Sequence, residues 1–399
     1  MQELAIGFES RGFQIVGPRD EADAYLINTC TVTAEADRKV RQWLRMVRRS
    51  HPDALVIACG CGVERARAQF ESLSDLLIGN RDKGRAVELV SSSLAGRRAD
   101  VPELGAPRHA GRTRSLVKVQ EGCATPCTYC IVPYVRKGEE SMPVESVLST
   151  VGARIRDGYK EIVLTGTKIG EYQDGRLNLA GLVQQVLELP GLARLRLSSL
   201  QPQELSDGLL ALWGDRRLCR HLHLSLQSGS PTVLARMRRQ YDPGEYMAAL
   251  SRIRAAMPGV AITTDVIVGF PGESESEFDE TVHFCEGAGF ARIHVFPYSR
   301  RPGTPAAEMA GQVPDPVVRQ RVDVMEQLAA RSRADYESSW LGRRLQVLWE
   351  EESRPGSGIY AGTSDNYLRL LCRSAAPLQN TLEEVTAERV DSHGIWVRR

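Results

Sequence analysis

Three cysteines within one short stretch constrain this chain more than any other feature. Cys123, Cys127 and Cys130 stand in the run EGCATPCTYCIVPY, with C-x3-C-x2-C spacing and Tyr129 directly before the last thiol. Cysteine thiolates at such spacing can hold three irons of a [4Fe–4S] cluster. No fourth cysteine lies nearby, because the next one along the chain is Cys219. One iron would therefore keep an open coordination site, which indicates chemistry at the metal rather than electron storage.

A zinc site and three unrelated buried thiols are the alternatives. Zinc sites usually need four ligands and paired C-x2-C units, and this run has neither. The run resembles the C-x3-C-x-aromatic-C motif of the radical S-adenosylmethionine (SAM) superfamily. In that superfamily the open iron binds the amino and carboxylate groups of SAM. The resemblance therefore implies a SAM-binding [4Fe–4S] cluster on Cys123, Cys127 and Cys130.

The composition is typical of a globular enzyme. The 399 residues leave room for two or three domains, at roughly 100–200 residues each. A net charge of +1 means that any nucleic-acid contact must come from local patches. Nine cysteines in a chain that does not open with a signal peptide argue against a disulfide framework. No apolar stretch approaches the roughly 20 residues of a membrane span, so we expect a cytoplasmic protein without a membrane partner.

Residues 23–95 alternate short apolar runs with helical patterns. DAYLIN, ALVIACG and LLIG read as strands, and EADRKVRQWLRMVRRS and residues 83–92 read as helices. This alternation predicts a parallel sheet covered by helices. The first helix carries an apolar stripe at helical spacing: Val40, Trp43, Leu44 and Val47. Its other face is basic, which fits either an RNA-binding surface or an ordinary solvated face: Arg38, Arg41, Arg45, Arg48 and Arg49.

The rest of the chain predicts an α/β fold in further parts. Residues 96–112 lack periodicity and read as a linker. Residues 113–340 contain six strand candidates separated by helices, which fits a partial TIM barrel: LVKV, EIVLTG, LRLSS, LHLSL, ITTDVIVGF and RIHVFPY. A long helix is expected over 316–340, and residues 341–399 read as short strands of a small β-barrel. The domains are thus 1–95, 113–340 and 341–399.

Five further strings extend the resemblance over essentially the whole chain. They occur in the order NTCTVT (Asn28–Thr33), GC (Gly60–Cys61), LQSGS (Leu226–Ser230), TDVIVGFPGE (Thr264–Glu273) and YSRRPGTPAA (Tyr298–Ala307). Together they resemble the methylthiotransferases, which insert sulfur and then a methyl group into tRNA or a ribosomal protein. The resemblance implies an N-terminal α/β domain, a central radical-SAM barrel and a C-terminal TRAM domain that binds RNA. In that tail, Tyr367, Arg369 and Arg373 are candidate RNA contacts.

The resemblance also implies a second [4Fe–4S] cluster on three N-terminal cysteines. Cys30 and Cys61 match the second and third ligands. The first ligand belongs to a GC-x-x-N turn ahead of a helix that MQELAIGFESRGF resembles, and this turn is absent. We expect a start codon placed too late or a truncated chain. The alternatives are a two-cysteine cluster or the recruitment of Cys59, which otherwise reads as a small buried hydrophobe.

The resemblance implies that the clusters and SAM carry the chemistry, with no catalytic side chain. An electron donor such as flavodoxin or ferredoxin reduces the first cluster, and SAM yields a 5′-deoxyadenosyl radical that removes hydrogen from an aromatic C–H. The second cluster presents sulfur, and a second SAM supplies the methyl group. The candidate SAM-binding residues are Tyr129, Thr165, Gly166, Ser199, Gln201, Gln227, Ser228, Val268 and Gly269. Ordinary turns and core packing are the alternatives for several of them.

Within the barrel, one residue departs from the family pattern, and two histidines are candidate substrate contacts. Gln201 stands where the family pattern S-S-x-E-P more often has an acid, so no acidic role is carried over. His223 and His294 lie within strand patterns and are candidates for touching the substrate.

Three substrates compete within the family. They are N6-threonylcarbamoyladenosine at position 37 in the anticodon loop of tRNA, isopentenyladenosine at the same position, and an aspartate of a ribosomal protein. The strings IHVFPYSRRPGTPAA and GYKEIVLTGTKIGEY resemble the threonylcarbamoyl branch most. The predicted activity is therefore methylthiolation of C2 of that nucleoside, giving ms2t6A. A non-catalytic RNA-binding remnant is the alternative from another class.

Overall fold

The structure is a computed structural model that describes residues 1–17, 20–95, 113–136 and 138–399. The predicted linker, 96–112, lies outside the described residues. The chain divides into two compact units. The first comprises Met1–Ala110, Cys123–Gly138 and Ser299–Ala307, and the second comprises Gly111–Gly122, Glu139–Tyr298 and Glu308–Arg399. The predicted domain boundaries stay predictions.

The described residues form these elements in chain order. The strands are β1 (Ala24–Asn28), β2 (Leu55–Cys59), β3 (Leu76–Ile78), β4 (Arg114–Lys118), β5 (Gln120–Gly122), β6 (Glu139–Ser141), β7 (Glu161–Thr165), β8 (Gln173–Asp174), β9 (Leu177–Asn178), β10 (Arg194–Leu197), β11 (Ser199–Leu200), β12 (His221–Leu224), β13 (Ala261–Val268), β14 (Arg292–Pro297), β15 (Arg344–Glu352), β16 (Ile359–Ser364), β17 (Arg369–Arg373), β18 (Leu382–Asp391) and β19 (Gly394–Arg398). The helices are α1 (Gln2–Glu9), α2 (Ala34–Ser50), α3 (Cys61–Ala66), α4 (Ala68–Glu71), α5 (Ala86–Ala95), α6 (Val132–Val135), α7 (Val144–Arg156), α8 (Leu179–Leu187), α9 (Asp207–Ala211), α10 (Pro231–Met237), α11 (Pro243–Ala256), α12 (Glu275–Ala288), α13 (Pro305–Glu308) and α14 (Asp315–Ser338).

The first unit contains the predicted parallel sheet. Its strands follow the order β1-β2-β3 and all run parallel. Thr33 caps α2, because its side chain accepts a hydrogen bond from the backbone N–H of Ala36. Leu44 and Val47 are buried, as the apolar stripe predicts. Trp43 is a correction, since it is 42% exposed and lies outside the stripe that packs on the sheet.

The second unit contains all six predicted barrel strands. They run parallel in two sheets, with the orders β10-β7-β4 and β11-β12-β13-β14. The strand is interrupted at Ser198, between β10 and β11. As a result, β10 belongs to the first sheet and β11 to the second. The long helix expected near 316–340 is α14. No sequence pattern predicts the antiparallel pairs β5–β6 and β8–β9, because their strands are only two or three residues long.

The C-terminal strands form a closed barrel in the order β15-β16-β17-β19-β18. Four of these strands overlap the short runs that predict strands in this region, RLQVLWEE, GIYAGT, NYLRLLC and GIWVRR, whereas no such run predicts β18. Its sequence LEEVTAERVD is mostly polar, and only Val385 and Ala387 are buried. A strand with one thin apolar face is hard to distinguish from a loop by its hydrophobic pattern alone.

A buried ion cluster lies at the amino ends of β7 and β10. Glu161 is fully buried, and its carboxylate lies 2.8 Å from guanidinium nitrogens of both Arg194 and Arg196. Arg196 also donates hydrogen bonds to the carbonyls of Ser364 and Asp365, in the turn after β16. This cluster therefore fastens the C-terminal barrel to the base of the parallel strands.

Within the described part of the chain, no helix combines the length and the apolar composition that crossing a bilayer requires.

Candidate active site

The cysteine run lies on the loop between β5 and β6, and it belongs to the first unit. Cys127 is buried, whereas Cys123 and Cys130 are partly exposed. The loop turns tightly, because the N–H of Cys127 donates to the carbonyl of Thr125 and the N–H of Cys130 donates to the carbonyl of Cys127. Tyr129 is half-buried on the same loop. Its predicted role in binding SAM stays a prediction.

Cys30 and Cys61 follow neighbouring parallel strands at the same level. β1 pairs with β2 so that Asn28 lies opposite Cys59. Two residues further along each strand come Cys30 and Cys61, so the register places both thiols at one edge of the sheet. Both are partly exposed. The hydroxyl of Thr29 joins the two loops by accepting hydrogen bonds from the N–H groups of Gly62 and Val63.

Cationic side chains surround these N-terminal thiols. Arg136, at the end of the cysteine loop, donates a hydrogen bond from Nε to the sulfur of Cys61 at 3.3 Å. Asp37 of α2 accepts from both Arg65 and Arg301, which also donate to the hydroxyl of Thr31, the neighbour of Cys30. Two guanidiniums share one carboxylate here, that of Arg301 buried and that of Arg65 partly exposed, so the surroundings carry excess positive charge. Nothing in the sequence pattern indicated these contacts.

Cys59 has a different environment. Its side chain is fully buried in an apolar cluster with Leu55, Ile57 and Ile78. Burial raises the pKa of the Cys59 thiol, which disfavours the thiolate that a cluster ligand needs. The packing therefore favours the interpretation of Cys59 as a small buried hydrophobe.

The predicted SAM-binding residues of the second unit lie at the carboxyl ends of parallel strands. Thr165 ends β7 and Gly166 follows it, whereas Ser199 begins β11 just after β10 and Gln201 follows β11. Gln227 follows β12 with a left-handed φ of 70°, and it is held there by backbone hydrogen bonds to Asp265 and Ile267 of β13. These ends are where barrel enzymes place their binding residues.

Three of these predicted residues are already engaged within the fold. Ser228 is fully buried, and its hydroxyl lies 3.0 Å from that of Thr281 on α12. Val268 is fully buried in the apolar core. The side-chain oxygen of Gln201 accepts from Arg239 at 3.0 Å. Because Ser228 and Val268 are both fully buried, SAM would have to meet their backbone rather than their side chains, and their roles in SAM binding stay predictions.

Close packing disfavours any larger residue at two glycine positions in the loop after β7. A Cβ on Gly166 would lie 2.6 Å from the carbonyl oxygen of Gln120, and a Cβ on Gly170 would overlap the carboxyl of Glu204. Packing within the fold therefore accounts for both glycines. Glu204 itself is a residue that the sequence did not single out. Burial raises its pKa to about 7, although the N–H of Gln201 and Lys168 counteract this.

A second polar group lies on the inner face of β12, β13 and β14. We call His221, His223, Thr263, Asp265 and His294 the inner-face cluster. The intervening residues Leu222 and Leu224 belong to the helix-covered core, which places the cluster on the opposite face of the sheet.

Hydrogen bonds tie the inner-face cluster together. The hydroxyl of Thr263 lies 3.0 Å from ring nitrogens of both His221 and His223. The other ring nitrogen of His223 lies 3.1 Å from Asp265, which stands opposite His294 in the strand ladder. Burial, followed by neighbouring positive charge, lowers the pKa of both His221 and His294. The two histidines singled out from sequence are thus together, and alternation along β13 was the signal that could have added Asp265.

The donor sets fit iron–sulfur ligation by their chemistry. Each set consists of thiols on short loops, with neither carboxylates nor imidazoles among them. In the parts of the chain that the structure describes, no three His, Cys, Asp or Glu side chains are grouped as ligands of a single metal ion.

Family models match two parts of this chain. Residues 117–285 match the radical SAM superfamily, and residues 1–79 match a family described as uncharacterized protein family UPF0004. The parallel strands and the three-cysteine loop therefore belong to a radical SAM enzyme.

Full-length relatives define the family further. Proteins named threonylcarbamoyladenosine tRNA methylthiotransferase MtaB are 35% identical in Chlamydia pneumoniae, over 94% of this chain and 88% of that protein, and 35% identical in Bacillus subtilis, over 95% and 87%. A tRNA-2-methylthio-N(6)-dimethylallyladenosine synthase of Syntrophotalea carbinolica is 34% identical, over 89% and 86%. The chain belongs to the radical SAM tRNA methylthiotransferase family, and it is a transferase whose family uses SAM and a [4Fe–4S] cluster.

The fold also resembles solved structures. The radical SAM methyltransferase TsrM from Kitasatospora setae superimposes with a TM-score of 0.55 at 15% identity, over 76% of this chain and 66% of that chain. This likeness concerns the fold alone.

Proposed function

We propose that this protein methylthiolates C2 of N6-threonylcarbamoyladenosine at position 37 of tRNA, giving ms2t6A. The chain covers 87–95% of its own length in alignments with four MtaB proteins of 34–35% identity. Dimethylallyladenosine synthases reach 31–34%. Because these two ranges of sequence identity meet, the identities support tRNA as the substrate class. They do not by themselves distinguish threonylcarbamoyladenosine from dimethylallyladenosine.

In this proposal, the two groups of cysteine thiols bind two different clusters. Cys123, Cys127 and Cys130 would hold the SAM-binding cluster, and Cys30 and Cys61 would contribute to the second one. When bound, the clusters and SAM supply the radical, the sulfur and the methyl group. Arg136 donates to the sulfur of Cys61 and stabilises negative charge there. The partly exposed Arg65 and the buried Arg301 hold the neighbouring loop through Thr31.

The residues at the strand ends would orient SAM and the nucleoside. Thr165, Ser199 and Gln227 lie at the carboxyl ends of β7, β10 and β12, where barrels bind their ligands. Phe296 lies two residues after His294 on β14 and is 42% exposed. Its ring offers an apolar surface on the same face of the strand for an adenine to stack on.

The choice of threonylcarbamoyladenosine over isopentenyladenosine rests on the polar character of the inner-face cluster. A threonylcarbamoyl group has amide, hydroxyl and carboxylate atoms, whereas an isopentenyl group has only carbon. His223, Asp265 and His294 offer both hydrogen-bond donors and acceptors. A prenyl group there would offer no hydrogen-bond partner to Asp265 or His294, and sites built to hydrogen-bond a substrate discriminate strongly against an analogue that cannot.

The test is mass spectrometry of tRNA nucleosides from a strain that lacks the gene. We expect ms2t6A to disappear and t6A to accumulate, with recovery when the gene is restored. Loss of the 2-methylthio form of isopentenyladenosine instead would assign the protein to the other nucleoside. Unchanged amounts of both would favour the non-catalytic RNA-binding alternative.

A variant with Leu at both His223 and His294 tests the discriminating residues in vitro. We expect KM for a t6A-containing anticodon stem-loop to rise by at least about 10-fold, while 5′-deoxyadenosine formation without RNA stays unchanged. Leu at His283, which lies exposed on α12, is the matched control.

A further inference from the structure

The segment Ser299–Ala307, which follows β14, contacts both regions that carry the candidate cluster ligands. We call it the bridging segment, and it belongs to the first unit together with both of those regions. At its start, the hydroxyl of Ser299 accepts a hydrogen bond from the N–H of Ala34, the first residue of α2, at 2.9 Å. Near its end, the N–H of Ala306 donates to the carbonyl of Thr128 in the three-cysteine loop, also at 2.9 Å. One short segment therefore joins the N-terminal sheet to that loop.

Arg301 anchors the bridging segment beside Cys30. Its side chain is buried, and its Nη2 atom donates to the hydroxyl of Thr31 at 2.7 Å and to the carboxylate of Asp37 on α2. Thr31 and Asp37 are buried as well. Because Thr31 directly follows Cys30, these hydrogen bonds hold the backbone that presents the Cys30 thiol.

The buried guanidinium of Arg301 is only partly compensated. The carboxylate of Asp37 serves two cations, since Arg65 also contacts it at 3.2 Å. Within the part of the chain that the structure describes, the buried Nε of Arg301 has no hydrogen-bond partner. A buried ion pair offsets its desolvation only when its geometry is excellent and its remaining protons are hydrogen-bonded. Stability alone therefore does not explain this arginine, whereas the joining of two segments in one fixed geometry does.

Arg136 makes a second connection, which is direct. It lies six residues after Cys130, at the end of the three-cysteine loop, and its Nε lies 3.3 Å from the sulfur of Cys61. The bridging segment thus holds the Cys30 side of the N-terminal sheet, and Arg136 holds the Cys61 side. Two connections at different points restrict both the separation and the relative orientation of the two sets of thiols.

We propose that Arg301, acting through Thr31 and Asp37, is a positioning residue that sets the geometry between the two sets of cluster ligands. The inference rests on the proposed function, because that reaction needs the radical and the sulfur to reach the same carbon of the nucleoside. A misplacement of about 1 Å can cost on the order of 100-fold in rate. Loosening this connection should therefore leave SAM cleavage intact while fewer cleavage events lead to methylthiolated product.

The test compares Thr31→Val and Arg301→Met with the wild type as reconstituted holoenzymes, given SAM and a t6A-containing anticodon stem-loop. Val keeps the shape of Thr31 but cannot accept a hydrogen bond from Arg301, so this variant leaves the Arg301–Asp37 ion pair in place. We expect the ratio of 5′-deoxyadenosine to methylthiolated nucleoside, measured by mass spectrometry, to rise at least about 10-fold in both variants. The rate of 5′-deoxyadenosine formation should stay near that of the wild type. Arg300→Met is the matched control, because Arg300 is exposed and its Nε donates to the carbonyl of Ala307 within the same segment.

Electron paramagnetic resonance gives a readout that does not depend on turnover. When both clusters are reduced, the interaction between their spins varies with their separation and orientation. We expect this interaction to change in Thr31→Val and Arg301→Met and to stay unchanged in Arg300→Met. Iron content and melting temperature show whether each variant folds and holds both clusters.

The outcomes separate this inference from the proposed function. A wild-type product ratio and a wild-type spin interaction in Thr31→Val would overturn the positioning role and leave the proposed function intact. Loss of iron or of SAM cleavage from Thr31→Val would also overturn it, because the network would then be needed to hold a cluster rather than to place two of them. A wild-type protein that holds a single cluster, or that forms no methylthiolated nucleoside, would overturn the proposed function and this inference with it.

Discussion

The cysteine thiols of the loop between β5 and β6 give the first prediction at the scale of single residues. Replacing Cys123, Cys127 or Cys130 with Ala should abolish 5′-deoxyadenosine formation, because each change removes one of three iron ligands. Chromatography of reaction mixtures assembled without oxygen measures the product. Cys285→Ala is the control, since that thiol is buried on α12. Continued product formation by the three loop variants would refute the ligand assignment.

Cys30→Ala and Cys61→Ala should separate the two half-reactions. SAM cleavage should persist because the three-cysteine loop is intact, while 2-methylthio nucleoside should fall below detection. The iron content should drop relative to the wild type. Cys59→Ala should retain both activities, because its side chain packs among apolar residues. Thiolated product from Cys30→Ala or Cys61→Ala at the wild-type rate would contradict a role in sulfur insertion.

Glu204 predicts a stability change near neutral pH. Its pKa of about 7 when folded exceeds its ordinary value of 4.5. Between these values the folded protein keeps a proton that the unfolded chain loses, so stability falls as pH rises from about 4.5 to 7. The slope can reach about 1.4 kcal/mol per pH unit. Glu204→Gln should flatten it, and unfolding temperatures at pH 5, 6 and 7.5 measure the difference. Parallel profiles for both proteins would exclude this carboxyl as the cause.

At the scale of secondary-structure elements, the first residues of β7 and β10 determine how the C-terminal barrel docks. Burial alone would raise the pKa of Glu161, but Arg196 and Arg194 outweigh it and lower that pKa to about 2. Its contribution to stability is therefore present above the ordinary value of 4.5 and is lost as pH falls towards 2.

Glu161→Gln should destabilise the protein at pH 7 by about 3–5 kcal/mol, because it leaves two buried guanidiniums without a counter-charge. Denaturant unfolding measures this change. Glu384→Gln is the matched control, since Glu384 forms an exposed pair with Arg344 and should change stability by less than about 0.5 kcal/mol. Similar losses in the two variants would show that the buried cluster has no special weight.

Other elements show how far hydrophobic patterns reach. The α2 helix follows from helical periodicity. The parallel strands β1 to β3 and the six barrel strands follow from short apolar runs, because strands of a helix-covered parallel sheet are buried on both faces. The hydrophobic pattern did not predict β18, which has only a thin apolar face. It also wrongly predicted burial of Trp43, which continues the helical spacing yet is 42% exposed. Periodicity locates a face of an element, but the neighbouring elements decide how much of that face is covered.

At the scale of the whole molecule, the C-terminal residues are less separable than their sequence indicates. Arg194, Arg196 and Arg220 reach into the turn at 363–365, and Asn380 donates to the carbonyl of Gly158. Deleting residues 341–399 would expose the buried ion cluster at the base of the strands. We therefore expect the deletion to lower both the unfolding temperature and SAM cleavage. Wild-type values for the truncated protein would show that the tail is an independent module.

The sequence alone determined the chemistry of this protein, because a C-x3-C-x2-C run and five ordered strings restrict which reaction the chain can perform. It also determined the order of strands and helices, since hydrophobic periodicity is local. The tertiary structure decided what depends on distant residues meeting. It brought Arg136 to Cys61, joined His223 to Asp265, and buried Ser228 and Cys59. No local pattern encodes such contacts, because each depends on how separate elements pack.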